Sequence, residues 1–133
     1  MTNPPRQPLR IAITGASGFI GSRLLTLLRT DGYSVRTLVQ KTTGHAIDVG
    51  IIGDLASPNI QSAVRHALRD IDVVVHLAGM AHVPLFNKQT PMSNSTQSDQ
   101  DSETRAWKIN VDGTRHVRDA ALAAGVQHLL YLS

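Results

Sequence analysis

The segment Thr14-Gly15-Ala16-Ser17-Gly18-Phe19-Ile20-Gly21 constrains the fold of this chain more than any other part of the sequence. A short, largely apolar run at residues 9–13 precedes it, and a run with apolar residues at helical spacing follows it. A glycine-rich turn between a strand and a helix presents backbone N–H groups and the positive end of the helix dipole to an anion. Proteins that bind the pyrophosphate of a dinucleotide use this arrangement. We therefore expect a dinucleotide cofactor.

The glycines of this turn are spaced G-x-x-G-x-x-G, whereas the commoner dinucleotide fingerprint is G-x-G-x-x-G. Gly15 would make the tight turn, and Gly18 would let the backbone approach the phosphates. Gly21 would let the helix pack closely on the strand. The alternative is a turn with a structural role alone. The predicted cofactor-binding residues of the turn are Gly15, Ser17, Gly18, Phe19, Ile20 and Gly21.

The composition favours one ordinary globular domain and excludes several classes of function. The 133 residues are enough for a single core, and the net charge of +3 comes from scattered Lys and Arg, which argues against nucleic-acid binding. Without cysteine the chain has no disulfide or Cys-ligated metal, in agreement with a reducing cytoplasm. No apolar run approaches the ~18 residues of a membrane helix. Residues 1–8 are polar and rich in proline, and we expect a flexible N-terminal arm rather than a secretory signal.

Strands and helices alternate through residues 9–133, which favours a parallel sheet built from right-handed crossovers. We expect an α/β, Rossmann-type doubly wound sheet with the strand order 3-2-1-4-5. The predicted strands are residues 9–14, 34–39, 47–52, 72–77 and 127–132. The first helix is predicted at residues 18–29, the second begins at Ser57-Pro58, and the third covers about 103–124. Residues 84–103 are predicted to form a polar, mobile loop.

The first and third helices each carry a stripe that predicts their buried side. The stripe of the first helix consists of Ile20, Leu24, Leu27 and Leu28. The stripe of the third helix consists of Asn110, Gly113, Val117, Ala121 and Ala124. Since the second stripe is otherwise small and apolar, Asn110 is expected to face the sheet and to need hydrogen-bond partners there.

At this point the sequence resembles a known family, the extended short-chain dehydrogenases/reductases, and in particular their NAD(P)-dependent nucleotide-sugar epimerase/dehydratase branch. The glycine turn carries the first part of the resemblance. Further matching segments follow it in order, namely Gly53-Asp54-Leu55, Val74-Val75-His76-Leu77-Ala78-Gly79, Asn110-Val111-Asp112-Gly113-Thr114 and Tyr131-Leu132-Ser133. Together they span nearly the whole chain.

The resemblance implies roles for several residues outside the glycine turn. Asp54 would accept a hydrogen bond from the adenine amino group, and Leu55 would pack near the ring; the alternative for Asp54 is a turn or capping carboxylate. Asn110 would bond the backbone of a neighbouring strand and support the catalytic groups, or it would be purely structural. The remaining implied residues are Leu77, Ala78 and Gly79 beside a cofactor ribose, and His82 and Val83 in a sugar pocket.

The end of the second predicted strand bears on the choice between NAD and NADP. A carboxylate there would bind the ribose hydroxyls of NAD, but the chain reads Val39-Gln40-Lys41. Lys41 offers a cation for a 2′-phosphate, so Gln40 and Lys41 favour NADP slightly. No third ligand with recognisable spacing joins His76 and His82, and no metal site is predicted.

The resembled enzymes transfer a hydride with the help of a Tyr-x-x-x-Lys pair, which these residues lack, because Thr37 follows Tyr33 at that spacing. We therefore expect the N-terminal, cofactor-binding part of a longer epimerase, dehydratase or 4-keto reductase, truncated after the fifth strand and inactive by itself. The alternatives are a reductase of a non-nucleotide ketone or aldehyde and a non-catalytic dinucleotide sensor. The apolar fifth strand, left as an open edge, predicts association, with a homodimer as the expected form.

Overall fold

The structure, a computed structural model, describes residues 7–42, 44, 47–80 and 96–132. One parallel sheet has the order β3-β2-β1-β4-β5, which confirms the predicted Rossmann-type topology. Its strands are β1 Arg10–Thr14, β2 Ser34–Val39, β3 Val49–Ile51, β4 Val73–His76 and β5 His128–Tyr131. The β-branched run of β4 suits a strand that is flanked by β1 and β5 and buried between two helical layers.

The helices cover the two faces of the sheet unequally. They are α1 Phe19–Thr30, α2 Gln61–Ala67, α3 Thr96–Trp107, a π-helix Lys108–Gly113, and α4 Thr114–Ala124. Side chains of α2 and α4 form the larger core cluster with the sheet, whereas α1 packs on the opposite face against Ile11, Ile13 and Val35. Among the described helices, none is long and apolar enough to cross a membrane.

The polar-loop prediction for residues 84–103 is wrong over its last part, because α3 begins at Thr96. Residues 96–103 contain no apolar side chain, so their hydrophobic pattern gives no helical signal. They also contain no glycine or proline, and the helix continues without a break into the packed helices that follow. The other part of the predicted loop, residues 84–95, lies outside the described residues. Residues 1–6 of the predicted N-terminal arm also lie outside them.

The second helix begins later than predicted, at Gln61 rather than at Ser57-Pro58. Asp54 organises the intervening turn, because its carboxylate accepts the N–H of Ala56 and its carbonyl accepts the N–H of Ser57. The Ser57 hydroxyl accepts the N–H of Asn59 at 3.4 Å and so belongs to this turn rather than to a helix cap. The third strand is likewise shorter than predicted, Val49–Ile51.

The predicted buried stripe of α1 is half wrong. Leu24 and Leu28 pack against the core, but Ile20 and Leu27 are 51% and 57% exposed. The side that faces the sheet is centred on Gly21, Leu24, Leu25 and Leu28. At 3.6 residues per turn, Ile20 and Leu27 lie roughly a quarter turn to one side of that centre.

Candidate functional site

The predicted cofactor residues gather at one edge of the sheet. Because all strands are parallel, the segments that follow β1, β2, β3 and β4 leave the sheet at the same, carboxyl edge. Strand β1 lies between β2 and β4, and the order of the strands reverses there. Open α/β sheets bind ligands outside the carboxyl ends at such a reversal. The glycine turn follows β1 directly, so it lies at this point.

Close packing in the glycine turn leaves no room for side chains at two of its glycines. Gly15 has φ +73°, and a Cβ there would lie 2.6 Å from the N of Ala78 and 2.7 Å from the C of Leu77. A Cβ on Gly21 would overlap the carbonyl oxygen of Gly15. The turn is therefore pressed against both the end of β4 and the first turn of α1.

The N-terminus of α1 is open to an anion. Its N-cap is Gly18, and no side chain caps the first turn, which carries no acidic residue. Ser17 to Ile20 are exposed, so the first N–H groups of the helix and its dipole face the surface. The guanidinium of Arg23 lies over the ring of Phe19 at 4.2 Å, which adds a positive charge beside this turn.

A buried histidine links the end of β4 to β1 and α4, a connection that was not predicted from the sequence. The hydroxyl of Thr14 lies 2.6 Å from Nδ1 of His76, and Oγ1 of Thr114 lies 3.1 Å from Nε2. The Thr14 hydroxyl also accepts the N–H groups of Leu77 and Ala78 at 3.2 and 3.1 Å. His76 is 1% exposed, and burial lowers its pKa to about 4.

The sequence did contain a signal for this histidine. Alternate residues of a strand face the same side, so His76 shares a face of β4 with the fully buried Val74. In the register between β4 and β1, His76 lies opposite Thr14. A polar side chain on a buried strand face needs hydrogen-bond partners, and Thr14 is the neighbouring hydroxyl. The aromatic ring of Tyr131, one strand further, stacks on the imidazole at 5.7 Å between ring centroids.

Asn110 finds backbone partners just beyond β4, as its place in the helical stripe required. Its Oδ1 accepts the N–H of Met80 at 2.8 Å, and its Nδ2 donates to the carbonyl of Met80 at 2.9 Å. A Cβ on Gly79 would lie 3.0 Å from the same Oδ1. Asn110 belongs to the π-helix, and short π-helical segments are frequent at functional sites because they displace a side chain from its regular position.

Replacing Asn110 with Ala is expected to destabilise the chain by about 2 kcal/mol, because both polar groups of Met80 lose their partner at a half-buried position. Chemical denaturation measures the change. The matched control is Asn59→Ala at an exposed position, where a change within about 0.5 kcal/mol is expected. Equal effects of the two substitutions would contradict this role of Asn110.

Asp54 lies half-buried after β3 and already has two partners. Its Oδ1 accepts the N–H of Ala56 at 3.0 Å, and Nη2 of Arg105 donates to Oδ2 at 3.2 Å. The bond from Ala56 lowers the pKa of this carboxyl below its usual value, and Arg105 lowers it further, while burial acts against both. Leu55 packs against the π-helix, where a Cβ on Gly113 would lie 3.0 Å from the Cβ of Leu55. The structure thus shows the turn carboxylate of the alternative interpretation, and the adenine contact stays a prediction.

One pair of predicted site residues is exposed, and another pair lies outside the described residues. Gln40 and Lys41 are exposed directly after β2. His82 and Val83 lie outside the described residues. Within the described ranges, no group of three His, Asp or Glu side chains could hold a metal ion.

Comparison with known proteins places this geometry in context. The model of the NAD dependent epimerase/dehydratase family matches residues 11–133. The chain is 30% identical to a ceramide reductase of Caulobacter vibrioides over 131 residues, which covers 92% of this chain and 34% of that protein. It is 27% identical to a UDP-glucose 4-epimerase of Vibrio cholerae over 135 residues, with 99% and 37% covered.

A solved structure shares both the fold and a comparable level of identity. It is a short-chain dehydrogenase/reductase superfamily protein from Agrobacterium tumefaciens with bound NAD, which superimposes with a TM-score of 0.65 at 29% identity. The match covers 92% of this chain and 31% of that structure. The chain thus spans about a third of the length of the relatives it matches.

Proposed function

The chain belongs to the NAD-dependent epimerase/dehydratase family, and from that premise we propose that it is the NAD(P)-binding part of an enzyme that transfers a hydride at a sugar carbon of a nucleotide sugar. The observation that carries the proposal is the contact between Gly15 and the Leu77–Ala78 backbone at the carboxyl edge of the sheet. This contact joins the glycine turn to the end of β4 at the place where dinucleotides bind this fold.

The residues of this edge fit a dinucleotide. The uncapped N-terminus of α1 would hold the pyrophosphate, because its N–H groups have no competing side-chain partner or carboxylate in the first turn. Asp54 and Leu55 would meet the adenine, and the Leu77–Gly79 backbone would pass beside a ribose. When bound, the nicotinamide supplies the hydride acceptor or donor. The chain's own contribution is to bind and orient, since these residues contain no Tyr-x-x-x-Lys pair.

A nucleotide sugar is the first candidate substrate of the longer enzyme, and epimerase, dehydratase and 4-keto reductase chemistry all remain open. The UDP-glucose 4-epimerase similarity supports it. The second candidate is a non-nucleotide ketone or alcohol, which the similarity to a ceramide reductase favours. Either reaction would use the same cofactor edge.

Titration of the 133-residue chain with NADH and NADPH, followed by nicotinamide fluorescence, tests the proposal. Binding is expected, together with no turnover of UDP-glucose when NAD⁺ or NADP⁺ is supplied as the hydride acceptor, because the chain would hold the cofactor without the proton-transferring pair. Absence of binding to both nucleotides would contradict the proposal. Binding by a longer protein that also lacks Tyr-x-x-x-Lys would favour the dinucleotide sensor instead.

We further propose a modest preference for NADPH, which rests on Lys41. Its exposed ammonium group after β2 is free to meet the 2′-phosphate that NADPH carries and NADH lacks. Lys41→Ala is expected to weaken NADPH binding about tenfold and to leave NADH binding unchanged. The control, Arg69→Ala, removes a cation before β4, at the other edge of the sheet. Equal losses for the two nucleotides with Lys41→Ala would contradict the preference.

We propose that the chain self-associates, with a homodimer as the simplest form, through the edge of β5. Among the described strands, β5 pairs with β4 alone, and Leu130 is 54% exposed on it. Leu130→Lys is expected to lower the mean mass in light scattering at high concentration. The control is Leu122→Lys, at an apolar position of α4 that is 73% exposed. A monomeric wild type, or a loss of association with the control alone, would contradict this edge.

A further inference from the structure

We propose that His76 is a positioning residue for the cofactor edge, which it serves by carrying a one-way chain of hydrogen bonds from Thr14 to the backbone of Asn110. The role rests on the proposed function, because the backbone that it fixes is the segment that a dinucleotide would pass. His76 directly precedes that segment and is only 1% exposed, so its buried side chain would not touch the cofactor.

The hydroxyl of Thr14 fixes the direction of the chain at one end. Its oxygen accepts the N–H of Ala78 at 3.1 Å and shares the N–H of Leu77, at 3.2 Å, with the backbone carbonyl of Thr14, so both lone pairs of the hydroxyl face a donor. Its proton is therefore left for Nδ1 of His76, 2.6 Å away. Nδ1 must accept, so the neutral ring carries its proton on Nε2.

The other end of the chain requires the same direction. The hydroxyl of Thr114 donates to the carbonyl of Asn110 at 2.6 Å, so its oxygen is free to accept from Nε2 of His76 at 3.1 Å. Both ends thus select the Nε2–H tautomer of a neutral imidazole. A proton on Nδ1 would face an oxygen whose lone pairs are already used.

The groups that the structure places against the ring add no charge. Strand β1 contributes the Thr14 hydroxyl, and α4 contributes the Thr114 hydroxyl. Strand β5 contributes the ring of Tyr131, which is the one titratable side chain of the three. The imidazole is therefore held by dipoles and stacking, in an environment that favours the neutral form.

The chain of hydrogen bonds connects two sets of contacts that hold the same short piece of backbone, residues 77–80. Thr14 holds the N–H groups of Leu77 and Ala78, the residues against which Gly15 is packed, and the side chain of Asn110 holds Met80. Through Thr114, His76 joins the Thr14 contacts to the backbone of Asn110, whose side chain makes the second set of contacts. If the ring is removed or turned, the spacing between the glycine turn and residues 77–80 loses its support.

Two measurements on the 133-residue chain test this role. In ¹⁵N-labelled protein, the shifts of the ring nitrogens should identify the Nε2–H tautomer of His76 and keep it neutral from pH 7 to pH 5. Thr114→Val should raise both the exchange rate of the Ala78 N–H and the Kd for NADH by about tenfold, because the ring loses its acceptor. Thr114→Ser, which keeps the hydroxyl, should restore both values.

Thr26→Val is the matched control. The hydroxyl of Thr26 bonds the carbonyl of Ser22 at 3.0 Å on the exposed side of α1, the same bond that Thr114 makes to Asn110, and the bond is remote from His76. An Nδ1–H or protonated ring at pH 7 would overturn the proposal, as would unchanged Ala78 exchange or NADH affinity in Thr114→Val. If the tautomer and the Ala78 exchange behave as expected but wild type binds no dinucleotide, the hydrogen-bond chain is supported and the proposed function is overturned.

Discussion

Gly15→Ala is expected to cost about 3 kcal/mol of folding free energy and to weaken dinucleotide binding about a hundredfold. Two effects add at this position. The residue has φ +73°, which disfavours any side chain, and the new Cβ would lie 2.6 Å from the N of Ala78. The two nearest atoms, the N of Ala78 and the C of Leu77, belong to the backbone. The strain can therefore be relieved only by moving the glycine turn away from the end of β4. Chemical denaturation and NADH titration measure the two losses.

Gly32→Ala separates the two effects. Gly32 also has a left-handed φ, +87°, but a Cβ there meets nothing within 4 Å. This control should lose about 1 kcal/mol through backbone strain and keep its affinity for NADH. If Gly15→Ala binds NADH as the control does, the contact between the glycine turn and β4 does not shape the cofactor site.

The free energy of unfolding is expected to fall by about 3 kcal/mol as the pH drops from 6.5 to 4, on account of His76 alone. Burial lowers the pKa of this histidine from 6.5 to about 4 in the folded chain. The unfolded chain therefore takes up a proton in this interval that the folded chain resists. The contribution of His76 is fully present above pH 6.5 and is lost as the pH falls through the pKa of the folded state.

Denaturation midpoints of wild type and His76→Gln, compared as a function of pH, isolate the contribution of His76 to stability. The variant is less stable at neutral pH but should lose much less stability between pH 6.5 and pH 4. His66→Gln, at an exposed position of α2, should keep the wild-type slope. The lowered pKa of Asp54 makes its own contribution at lower pH and is common to all three proteins. An unchanged slope in His76→Gln would contradict a buried, neutral imidazole.

Local pattern carried most of the fold, because the decisive signals here are short-range. The glycine turn located the strand-to-helix junction at Gly15–Gly21, and short apolar runs located the strands, with Ser34–Val39 matching the predicted second strand. The order of the strands followed from right-handed crossovers and the family resemblance. The predicted stripe of the third helix placed Asn110 where its partners were found.

What the sequence could not supply depends on contacts between distant segments. The first part of helix α3, residues 96–102, consists of polar residues without a hydrophobic pattern, so nothing local distinguished it from a loop. The partners of His76 come from β1 and α4, 62 and 38 residues away along the chain. The carboxylate of Asp54 was assigned either to an adenine or to a turn, and its ion pair with Arg105 of α3 was not predicted. Each of these features needs the pairing of strands and helices before it can be seen.

The central claim is that the carboxyl edge around β1 and β4 holds a dinucleotide, and backbone amide shifts during a titration with NADH test it most directly. The largest changes are expected at Gly15 to Gly21 and at Ala78 and Gly79, with smaller ones at Leu55. Residues 66–70, at the opposite edge of the sheet, should be unaffected. Shifts confined to that opposite edge, or no shifts at saturating NADH, would contradict the claim.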